Sequence, residues 1–316
     1  MGRADRYSQP DAPDPVLAPE LVLSLARAQL TAGRQVSRVL EVDESGGEAR
    51  AYLCDGDVVV KTQRPHRLRP RTGLAKEAAL LGALAGPAAG RIPELFGYAQ
   101  VETVAGGVEL IVMSRVAGRP VRHLTVPAAA RRRLIGEVGR LLRAVHALDV
   151  ANSQAGGLLP IDDGWAALHQ RLEWGFADLV EALAGLAAGA ALPVPAERVA
   201  AAALAALPTG SQWRPVVLHA NPGPTHVFAD SAGAFTGLID FGDAYVSHPA
   251  LDLRSWPDPA DRIALQAAYL DGTEPGSDFT AVWTVAMIYA DLTVLAGRPA
   301  LATAAGDDLA TRLAQL

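Results

Sequence analysis

Residues 216–253 read VVLHANPGPTHVFADSAGAFTGLIDFGDAYVSHPALDL. Short apolar runs alternate here with Pro, Gly and polar clusters, so the stretch predicts strand, loop, strand, turn, strand, loop. The chemistry-bearing residues fall at the ends of these strands. His219, Asn221 and His226 lie in the first loop, and Asp240 directly follows the apolar run that ends at Ile239. A strand fixes the backbone of such a residue while the loop leaves its side chain accessible.

Upstream, 34–43 (RQVSRVLEVD), 49–56 (ARAYLCDG) and 57–65 (DVVVKTQRP) are short and β-rich, divided by Ser45-Gly46-Gly47-Glu48 and by Asp55-Gly56. Two hairpins in succession predict an antiparallel sheet. Residues 71–86 (RTGLAKEAALLGALAG) predict a helix stopped at Gly86-Pro87. Two further strands follow, 95–102 and 108–116, joined at Ala105-Gly106-Gly107. Beyond Gly118 helical spacing dominates, over 127–148, 164–186 and 195–207, and again from Asp258 to the end. The order is a small β-rich part followed by a large helical part, with 112–118 (VMSRVAG) as the candidate hinge. Residues 1–18, rich in Pro and Asp, predict a disordered tail.

Composition narrows the function. The 316 residues carry a net charge of −6 and no long basic run, which argues against nucleic acid as a partner. Half of the residues are apolar, mostly Ala, Leu and Val, enough for a sizeable core and biased toward helix. Cys54 is the sole cysteine, so no internal disulfide can form, as suits a reducing cytosol. The N-terminal residues are charged and Pro-rich where a signal peptide would be apolar, and the run 182–195 is too short to span a bilayer. The expectation is a cytoplasmic protein without a membrane partner.

His219-Ala220-Asn221, His226, Ile239-Asp240-Phe241-Gly242-Asp243-Ala244 and Pro249-Ala250-Leu251-Asp252-Leu253 together resemble the signature of aminoglycoside phosphotransferases and choline-kinase-like enzymes in order, spacing and strand context. The resemblance implies an α+β, two-lobed protein-kinase-like fold, with a small antiparallel β-sheet N-lobe over 19–115 and a mainly helical C-lobe over 116–316. It implies ATP or GTP as phosphoryl donor with Mg²⁺, or Mn²⁺, as the metal. By the same resemblance Lys61 binds the nucleotide phosphates, Glu77 is its partner, and the main chain at Ser114 and Val116 meets the base. His226 and Asp240 fall at the metal positions, and Asn221 and Asp240 fall at the catalytic positions. Taken singly, Lys61 reads as a surface lysine, Glu77 as a solvated helix residue and Asp240 as a turn cap; the combination carries the inference. His219 is read as structural, tied to its loop through Asp252. His123, His146 and His169 have no partner at a meaningful spacing and are read as non-catalytic.

The chain departs from that signature where it matters for turnover. The family's catalytic aspartate is Asn221 here, and an amide can hold a hydroxyl but cannot accept its proton. General-base catalysis contributes about 10²–10⁴-fold. Phosphoryl transfer rests largely on positioning and electrostatics, so the substitution implies weakened, not necessarily abolished, turnover. His226 replaces the usual Asn, and Ser247-His248 replaces Gly-Asp before the proline. Two functions stay open: a small-molecule kinase acting on a hydroxyl of a polar or cationic metabolite or an aminoglycoside-like antibiotic, and a pseudokinase that binds nucleotide or ligand without transfer. Asp162, Asp163, Glu173, Asp178 and Glu181 are the candidate acidic residues for a cationic substrate.

Overall fold

A computed structural model of the chain describes residues 7–31, 33–103, 106–154, 157–186, 192, 194–210 and 213–316. The described residues form two compact units. The first draws on Met1–Gly118, Ala151–Pro160 and Thr236–Ala244; the second on Arg119–Val150, Ile161–Phe235 and Tyr245–Leu316.

The first unit is built on a five-stranded antiparallel sheet in the order β1-β2-β3-β5-β4. Its strands are β1 (Val39–Asp43), β2 (Ala49–Cys54), β3 (Val58–Gln63), β4 (Leu95–Thr103) and β5 (Gly106–Ser114). The predicted join between the last two strands includes Ala105, which lies outside the described residues. The pleat sends alternate residues of β3 to opposite faces. Val58 and Val60 enter an apolar core with Tyr52, Cys54, Leu110 and Val112, which helix α1 (Pro19–Gln29) closes with Val22, Leu23 and Ala26. Val59 and Lys61 therefore face the other way. Helix α2 (Leu74–Leu84) supplies Glu77 there. Its buried residues run almost all round it, Lys76 and Glu77 among them.

Part of the stretch whose composition reads as a tail packs on this unit. Asp14 accepts hydrogen bonds from Arg50 (3.1 Å) and Arg64 (2.7 Å), and the Leu17 N–H donates to the Tyr52 hydroxyl (2.9 Å).

The second unit is mainly helical. Its long helices are α3 (Ala128–His146), α5 (Gly164–Ala184), α6 (Ala196–Ala205), α7 (Pro259–Leu270), α8 (Ser277–Gly297) and α9 (Ala302–Leu313); the short α4 (Val150–Gln154) after α3 belongs, but for its first residue, to the first unit. Helices α3 and α7 approach closely because residue 139 is glycine: a Cβ there would lie 2.8 Å from that of Ala268. Helix α8 is long and apolar enough to cross a membrane, but 67% of its apolar window is buried within the protein, as in a core helix. A fully buried Arg262–Asp291 ion pair ties α7 to α8.

Short strands complete the structure: β6 (Arg119–Pro120) pairs with β8 (Val227–Ala229), and β7 (Val216–Leu218) pairs with β10 (Tyr245–Ser247). Strand β9 (Phe235–Leu238) leads into Ile239-Asp240. The strands expected within 216–253 are present at β7, β8 and β9, and β10 is a further one that its three residues do not announce.

Candidate active site

The ammonium of Lys61 is the centre of the first unit's polar cluster. It donates to Glu77 Oε2 at 2.7 Å and to Asp240 Oδ1 at 2.6 Å. Glu77 is fully buried, and its other oxygen, Oε1, has no hydrogen-bond partner among the described residues. Asp240 is about a third exposed, so its carboxylate is reachable from solvent. Burial alone would lower the Lys61 pKa; Asp240 and Glu77 outweigh it, and the ammonium is held above the ordinary lysine range. For Glu77 burial wins over the pull of Lys61, and its carboxyl is pushed up. A fixed ammonium between two carboxylates is a prepared docking point for phosphate oxygens.

Asp240 reaches Lys61 because a run of hydrogen bonds from residues 69–77 grips 240–244. Thr72 Oγ1 and Arg69 Nη2 each donate to the Asp243 carboxylate at 2.6 Å. Arg69 also pairs with Glu48, at the end of the β1–β2 turn. The Gly73 N–H donates to the Gly242 carbonyl at 3.3 Å. The Lys76 ammonium donates to the carbonyls of Arg71 and of Ala244, the latter at 2.7 Å. Burial pulls the pKa of Lys76 down to about 8. Asp240 itself has φ +72°, a left-handed conformation that a non-glycine residue keeps only when its surroundings impose it.

Strand β9 is stitched to the same unit. The Leu238 N–H donates to the Arg91 carbonyl (2.9 Å), and Thr236 Oγ1 donates to the Ala117 carbonyl (2.6 Å). Residue 237 must be glycine for this approach, since a Cβ would lie 2.8 Å from Val116 Cγ1. Val116 is thus beside the strand that delivers Asp240. Ser114 ends β5; its N–H donates to the Glu94 carbonyl at 2.8 Å and its Oγ accepts from the Glu94 N–H at 2.8 Å.

The second unit carries the loop after β7. Asp252, on the 3₁₀ turn Pro249–Arg254, accepts from the His219 N–H and the Ala220 N–H, both at 2.7 Å. This turns the chain sharply: Ala220 has φ +82°. Asn221, exposed, follows. Its N–H donates to His219 Nδ1 (3.3 Å), and its carbonyl accepts from His226 Nδ1 (2.9 Å). A carbonyl can only accept, so Nδ1 carries the hydrogen in this bond.

Lys61, Glu77 and Asp240 are brought together within one unit, and Asn221 and His226 share one loop in the other. Asp252 does tie down His219, through the backbone N–H groups. Of the acidic candidates, Asp162 is buried and paired with Arg171 (2.7 Å from Nη2), while Asp163, Glu173, Asp178 and Glu181 are exposed on α5 or at its start. The reading overlooked Arg69, Thr72 and Lys76. A charged pair, Lys76-Glu77, on an otherwise apolar helix is the signal that could have marked them. It also overlooked His146, which contacts Asp252.

No group of three or more His, Cys, Asp or Glu side chains suited to a metal occurs among the described residues. A cation that bridges phosphates takes most of its ligands from phosphate and water, and needs only one or two protein carboxylates. The hard, accessible oxygens of Asp240 fit that demand.

A family model for the phosphotransferase enzyme family matches residues 39–283. The chain belongs to that family. No curated protein sequence matches it. Solved structures similar to this phosphotransferase-family chain include the GDP complex of aminoglycoside 2'-phosphotransferase-IIIa, at 18% identity over 95% of this chain and 98% of that one, with a TM-score of 0.62. The apoenzyme of macrolide 2'-phosphotransferase MphH from Brachybacterium faecium is 22% identical over 94% and 97%, with a TM-score of 0.56. The streptomycin–ATP ternary complex of APH(2")-IIa is 14% identical over 92% and 95%, also with a TM-score of 0.56. At these identities the likeness shows the fold, which is the α+β, kinase-like fold of the family.

Proposed function

We propose that this phosphotransferase-family chain moves the terminal phosphoryl group of ATP or GTP to a hydroxyl of a polar or cationic small molecule. The observation that carries the reading is the Lys61 ammonium, 2.7 Å from Glu77 and 2.6 Å from Asp240. Lys61 would bind phosphate oxygens, with Glu77 holding it in place. The main chain at Ser114 and Val116 would receive the base. Asp240 and His226 would hold Mg²⁺ or Mn²⁺, which neutralises charge on the transferred phosphoryl group. Residues 19–115 would form the nucleotide-binding lobe, and 116–316 would carry the catalytic loop and the acceptor pocket. Asn221 would orient the acceptor hydroxyl by hydrogen bond. The buried core helix and the lone, buried Cys54 support a soluble, cytoplasmic setting.

Transfer of labelled phosphate from ATP or GTP, with Mg²⁺ or Mn²⁺, to a panel of hydroxylated amines, sugars and antibiotics tests this. Activity that is lost in Lys61→Met supports the reading; nucleotide that neither binds nor reacts defeats it. The pseudokinase reading is favoured by Asn221 alone, an amide where a base would stand. Under it, nucleotide raises the melting temperature while no acceptor or water ever receives phosphate.

A further inference from the structure

Three elements of the second unit converge on one buried carboxylate. Tyr269, at the end of α7, has its hydroxyl 2.9 Å from His146 Nδ1. His146 is the last residue of α3, and its Nε2 lies 3.0 Å from Asp252 Oδ2. Asp252 holds the two N–H groups of His219 and Ala220 at 2.7 Å each. Asp252 is fully buried and His146 nearly so. A carboxylate only accepts, so Nε2 donates. Burial pushes the Tyr269 hydroxyl up to about 12, which keeps its proton in place for the ring.

The backbone that this carboxylate grips is under strain. Ala220 stands at φ +82°, a conformation that costs an L-residue roughly 1–2 kcal/mol. Without two short N–H···O bonds the loop would relax to an ordinary φ, and Asn221, the next residue, would swing with it. The rotamer of Asp252 decides whether both bonds form together, and the His146 hydrogen bond fixes that rotamer. This is how an outer hydrogen-bonding partner controls residues it does not touch.

We infer that His146 is a positioning residue for the Asn221 loop, acting through Asp252 and steadied by Tyr269. It touches neither nucleotide nor acceptor. Its value to transfer rests on the phosphotransferase reading; its hold on the loop does not. His146→Leu keeps the apolar volume and deletes the donor, whereas His146→Gln restores an amide N–H toward Asp252. Tyr269→Phe removes only the outermost hydroxyl and serves as a milder second variant.

Two measurements on the full chain decide the matter. Amide hydrogen exchange of the peptide covering 217–222 should speed up in His146→Leu and return toward the wild-type rate in His146→Gln, with Tyr269→Phe in between. Steady-state transfer should fall in kcat by about 10–100-fold in His146→Leu, with nucleotide KM unchanged within about two-fold, and recover in His146→Gln. Unchanged exchange in a folded His146→Leu overturns the inference, as does a Gln variant no better than Leu. If exchange responds as stated while the wild-type protein transfers no phosphate, the positioning role stands and the phosphotransferase reading falls.

Discussion

Replacing Lys61 with methionine isolates the electrostatics of the candidate site. The side chain keeps most of its length and apolar contact but loses the charge. Glu77 then sits fully buried, its Oε2 deprived of its 2.7 Å donor and the Phe241 N–H left to its carboxylate. Removing one member of a buried pair costs about 3–5 kcal/mol, because the remaining charge is uncompensated. In a chain of 316 residues that corresponds to a fall in melting temperature of roughly 5–8 °C. The cost depends on pH, and its sign follows from Glu77. Burial already pushes the folded-state carboxyl above its ordinary value, and loss of Lys61 pushes it further. A folded state that binds the proton more tightly than the unfolded chain is relatively favoured at low pH and loses that advantage as pH rises toward the folded value. Lys61→Met should therefore be mildest near pH 5 and most severe near pH 8, when melting is followed by calorimetry in both proteins. Adding Glu77→Gln removes the stranded charge and should restore at least about 1 kcal/mol, read as the coupling term of a double-mutant cycle. A deficit that is the same at both pH values, or a double variant no more stable than Lys61→Met, refutes the argument.

Three further outcomes are expected. Asn221→Asp restores a proton acceptor and should raise the phosphotransfer rate by about 10²–10⁴-fold; unchanged nucleotide consumption with a working acceptor contradicts the general-base argument. Ala220→Gly should stabilise the protein by about 0.5–1 kcal/mol in thermal melts, because glycine adopts φ +82° without strain, and no gain would mean that the surrounding bonds already absorb the cost. His248 is buried beside Trp213 and Phe279, with Nδ1 accepting from the Ala250 N–H (3.2 Å), and burial lowers its pKa to about 4. The unfolded chain then binds a proton that the folded state refuses, so stability is full above about pH 6.5 and falls by roughly 3 kcal/mol as pH drops to 4. His248→Asn, which keeps a capping acceptor but does not titrate, should flatten that acid limb in melts between pH 4 and 7.

Much of the site is legible residue by residue. The β-rich run 57–62 predicts the strand that carries Lys61, and the strand-then-Asp240 pattern marks a residue at a strand end. The apolar spacing of 127–148, 164–186 and 195–207 gives α3, α5 and α6 within a few residues. Local periodicity carries these because each depends on neighbours a few positions away. The β10 strand is hidden, since Tyr245–Ser247 is too short to show a period.

Sequence alone thus determined the order of elements and the β-rich start and helical remainder, and it singled out Lys61, Glu77, Asn221, His226 and Asp240 as candidates. Tertiary structure decided which of them meet. Asp240 lies 179 positions from Lys61 and yet joins the sheet unit, since Thr236–Ala244 is gripped by Arg69, Thr72, Gly73 and Lys76. His146 reads as an isolated histidine until it is found against Asp252, 106 positions away. Nothing in local spacing encodes such pairs: buried polar groups must find partners, and only the packed chain determines which ones lie within hydrogen-bonding reach.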